Sequence, residues 1–281
     1  MREIQADLIK DTIKTLFLDA NISIGEDVST AIESAYAREK SPIGKTVLKQ
    51  IQDNNRIAAE QELAICQDTG YAIVFVTLGQ DVHIVGGGYS QAINQGVREA
   101  YEEGYFRKSV VDEPIYSRKN TGDNTPAIIY TDIAPGENID IEVAAKGFGS
   151  ENMSAVKMLV PSDGEEGVID FIVDTVRKAG PNPCPPIIVG VGVGGTLDKA
   201  CVLAKKATMR TVGSRNAHPA YAALEEKILE RINKLGVGPA GFGGDTTAIG
   251  LNIEYHPTHI AGMPVAVNIC CHASRHGIAR I

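Results

Sequence analysis

Three cysteines that lie far apart in the chain each occur in a stretch typical of a turn. Cys66 lies in ICQDTG, Cys184 in PNPCPP and Cys271 in CCHASRH. A buried structural cysteine usually lies within an apolar run, whereas these three have Asp, Pro, Gly and His as neighbours. Three thiolates at one centre suit a soft metal or an iron–sulfur cluster. A four-iron cluster with three protein ligands keeps one iron open, and an open iron can act as a Lewis acid.

Spacing alone leaves other roles open for these thiols. The chain has no close C-x-x-C pair, so the pattern fits no zinc ribbon. Scattered cysteines can equally be inert or unrelated to one another. A disulfide pair is disfavoured, because the count of 5 cysteines is odd and the sequence shows no secretion signal.

Composition and charge restrict the class of protein. The 281 residues suffice for one large domain or two smaller ones. The net charge of −8 comes without a basic stripe, and tryptophan is absent, which disfavours nucleic-acid binding. No apolar run is long enough to cross a bilayer, and the charged start of the chain lacks the features of a targeting peptide. We therefore expect a cytoplasmic protein.

The hydrophobic pattern predicts an α+β fold, with a helical N-terminal layer followed by mixed strands and helices. We expect these elements to surround the iron–sulfur cluster site that the three cysteines suggest. Helical spacing of apolar residues extends from residue 2 to about 62. We predict a single domain over 1–281, with a possible soft boundary near residue 62 that separates a helical 1–62 from an α+β 63–281. Later stretches predict a strand in YAIVFVTLG, a short helix in SENMSAVKMLV, and final strands in TTAIGLNIEYHPTH and GMPVAVNICCH.

Gly190, Gly192 and Gly195 form a G-x-G-x-x-G pattern between a predicted strand and a predicted helix. This is the form of the dinucleotide fingerprint. That fingerprint also needs an acidic residue about 20 positions further on, and the stretch MRTVGSRNAHPA has none. Two other interpretations stay open: close approach of the backbone to a group near Cys184, or simple packing of the helix on the strand.

Taken together, these loops resemble one family. The matching stretches are ICQDTGYAIVFVTLG, KGFGSENMSAVKML, PNPCPPIIVGVGVGGTLDKACVLAKKA and THIAGMPVAVNICCHASRH. They resemble the α subunit of two-subunit, class I fumarate hydratase and the closely related α subunit of L-tartrate dehydratase. The resemblance extends from about residue 60 to the end of the sequence.

The resemblance implies a 4Fe–4S cluster as cofactor. In that family three cysteines hold the cluster, and they match Cys66, Cys184 and Cys271. Cys270 is then the neighbour that is not a ligand, because the family's cysteine directly precedes the histidine matched by His272. Cys201 lies among Ala, Val and Leu and is interpreted as a core residue.

The same comparison implies a substrate site. Asp68 follows the first cluster cysteine in the family's C-Q-D-T-G run and is the candidate catalytic residue. The residues expected to bind substrate are Gln67, Arg107, Gly149 and His259. A planar guanidinium such as that of Arg107 suits a carboxylate. Without the resemblance, Asp68 could be a turn residue, Arg107 a surface charge and His259 a structural histidine.

The reaction that the resemblance implies is the reversible hydration of fumarate to malate, with the substrate hydroxyl at the open iron and Asp68 moving a proton. The expected partners are a small dicarboxylate substrate and a β subunit, in an α2β2 assembly, with the chain inactive alone. The alternative within the same chemistry is L-tartrate dehydratase. Two other classes are a non-catalytic iron–sulfur protein, for which His272 would be a fourth ligand, and a dinucleotide-binding oxidoreductase.

Overall fold

The structure is a computed structural model that describes all 281 residues. It contains eight α-helices and ten β-strands, which confirms the predicted α+β class. The helices are α1 Ala6–Ile22, α2 Glu26–Arg38, α3 Pro42–Gln61, α4 Tyr89–Glu103, α5 Phe148–Glu151, α6 Gly164–Ala179, α7 Leu197–Ala207 and α8 Pro219–Asn233. The strands are β1 Arg2–Gln5, β2 Tyr71–Gly79, β3 Val82–Val85, β4 Ile128–Ala134, β5 Ile139–Lys146, β6 Ala155–Leu159, β7 Ile187–Gly194, β8 Ala248–His256, β9 Met263–Cys270 and β10 His276–Arg280.

The chain divides into two compact units. The first contains Met1–Gly25, Asn55–Gly147 and Arg275–Ile281, and the second contains Glu26–Asn54 and Phe148–Ser274. Both units are therefore built from segments that are distant in the sequence. The single domain with a soft boundary near residue 62 stays a prediction.

The first unit is built on a four-stranded sheet in the order β10-β5-β2-β4. β2 lies parallel to β4 and antiparallel to β5. Helices α1 and α4 cover the sheet because each carries apolar residues at helical spacing. Their buried side chains join those of the strands in one hydrophobic core, which includes Ile9, Ile13, Phe17, Val74, Ile93, Val97, Tyr101, Ile141 and Val143.

The second unit is built on a four-stranded sheet in the order β6-β9-β7-β8. Alternate residues of β7 face opposite sides of this sheet, as the two-residue period of a strand requires. Ile187, Val189 and Val191 join the hydrophobic core formed with α6 and α8. Gly190 and Gly192 face α7 on the other side.

The strand–turn–helix context predicted for the glycine pattern is present, with β7 followed by α7. A Cβ atom at Gly190 would collide with the carbonyl oxygen of Ala204, and one at Gly192 with that of Ala200. The two glycines therefore let the α7 backbone lie directly on β7. This geometry favours the packing interpretation of the G-x-G-x-x-G pattern.

Three local predictions need correction. Residues 2–5 form β1 rather than helix, because their backbone pairs in parallel with β3, which lies about 80 positions away in the sequence. The predicted helix in SENMSAVKMLV is a four-residue α5 followed by β6, since β6 pairs with the edge of β9. A tenth strand, β10, follows the last predicted strand and pairs with β5.

Candidate active site

The candidate residues Cys66, Gln67 and Asp68 lie in a turn of the first unit, between α3 and β2. Asp68 fixes this turn, since its Oδ1 accepts a hydrogen bond of 3.0 Å from the backbone N–H of Gly70. Gly70 has a φ of 81°, and a Cβ there would lie 2.6 Å from the backbone of Ala145. Only glycine fits that conformation and that space. Gln67 is exposed, and Cys66 and Asp68 are half-buried.

Arg275 lies against the same turn, although it is 207 positions away in the sequence. Its Nη1 donates to the carbonyl oxygen of Asp68 and, at 3.3 Å, to Oδ1 of Asn21. A Cβ added at Gly147 would lie 3.3 Å from both Nη2 of Arg275 and Oδ2 of Asp68. A guanidinium and a carboxylate therefore share the space beside Gly147. Arg275 is only 3% exposed, and a buried charge needs such partners.

Sequence reasoning did not single out Arg275. It lies in the same CCHASRH stretch as Cys271, four positions further on. In the sequence, Arg275 stands out only as a charged residue among small and polar residues close to a candidate ligand. This pattern gives no indication that Arg275 contacts Asp68.

Arg107 lies at the same turn. Thr69 donates from Oγ1 to the carbonyl oxygen of Arg107 at 2.8 Å. The preceding residue, Phe106, is buried and packs edge-on against Tyr101 with ring centroids 5.6 Å apart. The backbone of Arg107 is thus fixed from two sides, while its side chain is exposed. The first unit therefore places the backbone of Arg107 beside Thr69, the residue that follows Asp68.

Tyr101, which is fully buried, stabilises the turn through its hydroxyl group. Its hydroxyl donates to the carbonyl oxygens of Thr69 and Gly70 at 2.6 and 3.0 Å. Burial is the main cause that raises the pKa of Tyr101 far above its usual range. The phenol consequently remains a neutral hydrogen-bond donor at every physiological pH.

In the second unit, Cys184 lies beside His272, the residue that follows Cys271. The His272 ring nitrogen Nδ1 lies 3.0 Å from the carbonyl oxygen of Cys184, to which it can donate when protonated. Cys271 is half-buried and follows directly after β9, and Cys184 is exposed with a φ of 54°. A non-glycine residue in that conformation costs on the order of 1 kcal/mol or more, and such positions concentrate at functional sites.

The other two cysteines have different surroundings. Cys270 is a residue of β9 that is 7% exposed and lies opposite Ile188 of β7. Cys201 packs with Ala200, Ala204 and Ala266, and burial is the main cause that raises the pKa of its thiol. A raised pKa disfavours the thiolate that metal binding requires.

Gly149 and His259 occupy separate segments of the second unit. Gly149 is exposed in the short helix α5, and a Cβ there would have its nearest neighbour, the carbonyl oxygen of Asn182, at 3.8 Å. His259 is exposed between β8 and β9, and its Nδ1 accepts from the N–H of Ala261 at 3.2 Å. It lines an open cavity of about 520 Å³ with Gly195, Lys199 and His256.

The candidate donors are three cysteine thiols, the ligand type that iron–sulfur clusters take. No group of three or more His, Cys, Asp or Glu side chains is arranged to hold one ion. No disulfide joins any of the cysteines, and the three candidate ligands lie in loops, where a thiolate can face a cluster.

Comparison with known proteins identifies the family. The profile of the fumarate hydratase (Fumerase) family matches residues 10–280. The chain belongs to this family.

Several curated proteins are similar over most of their length. A Methanocaldococcus jannaschii protein with the provisional name L(+)-tartrate dehydratase subunit alpha is 44% identical over 283 residues, which cover 97% of both chains. The L(+)-tartrate dehydratase subunit alpha of Escherichia coli strain K12 is 34% identical over 254 residues, or 90% of this chain and 84% of that protein. The protein of the same name from Shigella sonnei gives the same values. No helix of the structure has the length and apolar character needed to span a membrane.

Proposed function

We propose that this chain is the α subunit of a two-subunit iron–sulfur hydro-lyase that interconverts fumarate and malate. The observation that carries the proposal is the turn at Asp68. In the first unit a carboxylate, a buried guanidinium and an exposed arginine are fixed around one turn by hydrogen bonds. The family match over residues 10–280 supports the reaction class, and the names of the relatives support an α subunit that works with a partner.

The proposed cofactor is a 4Fe–4S cluster with Cys66, Cys184 and Cys271 as ligands. When bound, the cluster supplies an open iron as a Lewis acid for the substrate's hydroxyl group. This chain's own residues bind and orient the substrate and move a proton. Cys270 is excluded as a ligand in this proposal because it is buried in β9, and Cys201 because it packs, partly buried, against α7 and β9 alanines with its thiol pKa raised.

In the proposed mechanism, the Arg107 guanidinium binds a substrate carboxylate through paired hydrogen bonds. Its exposed side chain leaves it accessible, and its fixed backbone reduces the entropy lost when the substrate binds. Asp68 transfers the proton at the carboxylate oxygen that faces Gly147. Arg275 keeps the Asp68 backbone in place through its hydrogen bond to the carbonyl oxygen. Gln67, Gly149 and His259 complete the proposed substrate contacts.

Dehydration of L-tartrate is the second candidate function, and the names of the relatives favour it. Both reactions remove a proton beside a carboxylate and a hydroxyl from the next carbon. The same Asp68 and Arg107 would therefore serve either substrate. The two substrates differ by one hydroxyl group, and a site that hydrogen-bonds a hydroxyl rejects the analogue that lacks it.

The test is a steady-state assay of the chain purified anaerobically with its partner subunit. We expect kcat/KM for L-malate and fumarate to exceed kcat/KM for L-tartrate, and the chain without its partner to be inactive. Exposure to air should abolish activity, and ferrous iron with a thiol should restore it, because an open iron is lost on oxidation. A higher kcat/KM for L-tartrate would establish the second candidate. Full activity of the chain alone would refute the need for a partner.

A further inference from the structure

We propose that Asn124 is a positioning residue that fixes the candidate carboxylate-binding Arg107 relative to Asp68; this inference rests on the proposed function. Asn124 is fully buried and polar, and it lies in a stretch outside the sequence motifs. Its φ of 62° is in the left-handed region, which asparagine tolerates better than most residues. A buried amide in an unusual backbone conformation requires a reason.

The amide of Asn124 bridges two segments of the site. Its Oδ1 accepts from the backbone N–H groups of Ser109 and Val110 at 2.8 and 3.3 Å. Its Nδ2 donates to the carbonyl oxygen of Gly70 at 3.1 Å. One side chain thus connects the segment just after Arg107 to the turn just after Asp68.

Two further contacts complete the connection. Thr69 donates to the carbonyl oxygen of Arg107, and Phe106 is packed on Tyr101. The backbone of Arg107 is therefore held by Phe106 before it, by Thr69 at the residue itself, and by Asn124 after it. Because the backbone is fixed, the position of the exposed guanidinium varies only through rotation about the bonds of the Arg107 side chain.

The segment that carries Asn124 is itself anchored to α4. Asp123 accepts from Arg98 Nε at 2.8 Å and from the Thr125 hydroxyl at 2.7 Å. Burial alone would raise the pKa of Asp123, but the hydrogen bonds from Thr125 and Arg98 outweigh it and lower the pKa to about 2. Asp123 is consequently ionised across the neutral range. Its ion pair with Arg98 therefore holds the segment that carries Asn124 in place.

The experiment compares Asn124→Gly with a matched control in the holoenzyme, that is, the chain with its cluster and partner subunit. Glycine adopts the left-handed φ readily, so this change removes the three hydrogen bonds without backbone strain. The control is Asn233→Ala. Asn233 makes the same pattern of bonds in the second unit, accepting from Thr247 and Ala248 and donating to the carbonyl oxygen of Ala248.

We expect Asn124→Gly to raise KM for malate on the order of tenfold with a smaller change in kcat, because it loosens a binding residue. Asn233→Ala should leave KM unchanged, although both variants lower the unfolding temperature. Amide hydrogen exchange should accelerate over residues 105–110 in Asn124→Gly alone. The iron content should stay at the wild-type value in both.

Thr69→Val provides a second variant if Asn124→Gly does not fold. It keeps the side-chain shape and removes only the hydrogen bond to Arg107, and it should raise KM in the same direction. The inference is overturned if an active wild-type enzyme shows equal KM values in Asn124→Gly and Asn233→Ala, or if exchange over 105–110 is unchanged. An inactive wild-type holoenzyme would instead refute the proposed function, and the exchange measurement would still test the connection.

Discussion

Cys270 and Cys271 are neighbours in the sequence but have different surroundings. Cys270 is the last residue of β9 and lies in the sheet, whereas Cys271 follows the strand and is half-buried. Both faces of β9 are buried, so a residue becomes accessible only beyond the end of the strand. This position beyond the strand is why Cys271 is the proposed ligand. The loop conformation of Cys184 points to the same kind of role.

At Asp68 we predict that replacement by Asn lowers kcat by about 10²–10⁴-fold, the range typical for loss of a general acid or base. The amide has nearly the shape of the carboxylate but cannot accept the proton. Substrate binding and iron content should change little, and rapid-mixing kinetics with an iron assay would measure both. Asp81→Asn, at an exposed turn of the same unit, is the control. Wild-type kcat in Asp68→Asn would remove Asp68 from the mechanism.

At the scale of elements, glycines serve two different purposes in this fold. Gly192 lets α7 lie on β7, because a Cβ atom there would collide with the backbone of Ala200. Gly149 has space around it, since a Cβ atom there would lie 3.8 Å from its nearest neighbour. Steric packing within this chain therefore explains Gly192 and does not explain Gly149.

These two glycines give a paired prediction. Gly192→Ala should lower the free energy of unfolding by about 1–3 kcal/mol or more, the usual cost of overpacking. Gly149→Ala should leave the unfolding temperature unchanged and raise KM several-fold, if substrate binds against the backbone there. Thermal unfolding and steady-state kinetics on both variants measure the difference. A stability loss in Gly149→Ala with unchanged KM would contradict its proposed role.

Glu39 connects elements within the second unit. This buried carboxylate follows α2 and accepts hydrogen bonds from the backbone N–H groups of Lys40, Ser41, Asp245 and Thr246. Burial opposes ionisation, yet the hydrogen bonds, first among them that from Asp245, outweigh it and lower the pKa of Glu39 below its usual value. The glycine-rich segment before Thr246 is thereby held to the α2–α3 connection.

These hydrogen bonds to Glu39 make the free energy of unfolding depend on pH. Because the folded pKa of Glu39 is lower than the unfolded one, its contribution is complete above about pH 4.5 and is lost as the pH falls through the folded value. Glu39→Gln should lower the free energy of unfolding at neutral pH by about 1–3 kcal/mol. It should also reduce the loss of that free energy as the pH falls. Urea unfolding over a pH series measures this. The exposed Glu230→Gln is the control and should shift neither quantity appreciably; equal curves for both variants would contradict this role for Glu39.

At the scale of the whole molecule, local patterns in the sequence predicted the class of fold and most helices, because amphipathic spacing reflects burial on one face. They could not predict β1 or β10, whose structure depends on pairing with β3 and β5 far along the chain. The same limit applies to the site. The sequence alone predicted a turn at Cys66, Gln67 and Asp68. Arg275 and Asn124 become neighbours of that turn only through long-range folding.

We propose that Cys66, Cys184 and Cys271 bind a 4Fe–4S cluster with one iron open to substrate, and every role assigned above to Asp68 and Arg107 depends on this cluster. The most direct measurement is an anaerobic count of iron and sulfide per chain with electron paramagnetic resonance, for wild type, Cys271→Ala and Cys270→Ala. We expect about four irons and four sulfides in wild type and in Cys270→Ala, a signal of the reduced cluster that changes on addition of malate, and loss of the cluster in Cys271→Ala. Zinc or no metal in the wild type, or an intact cluster in Cys271→Ala, would contradict it.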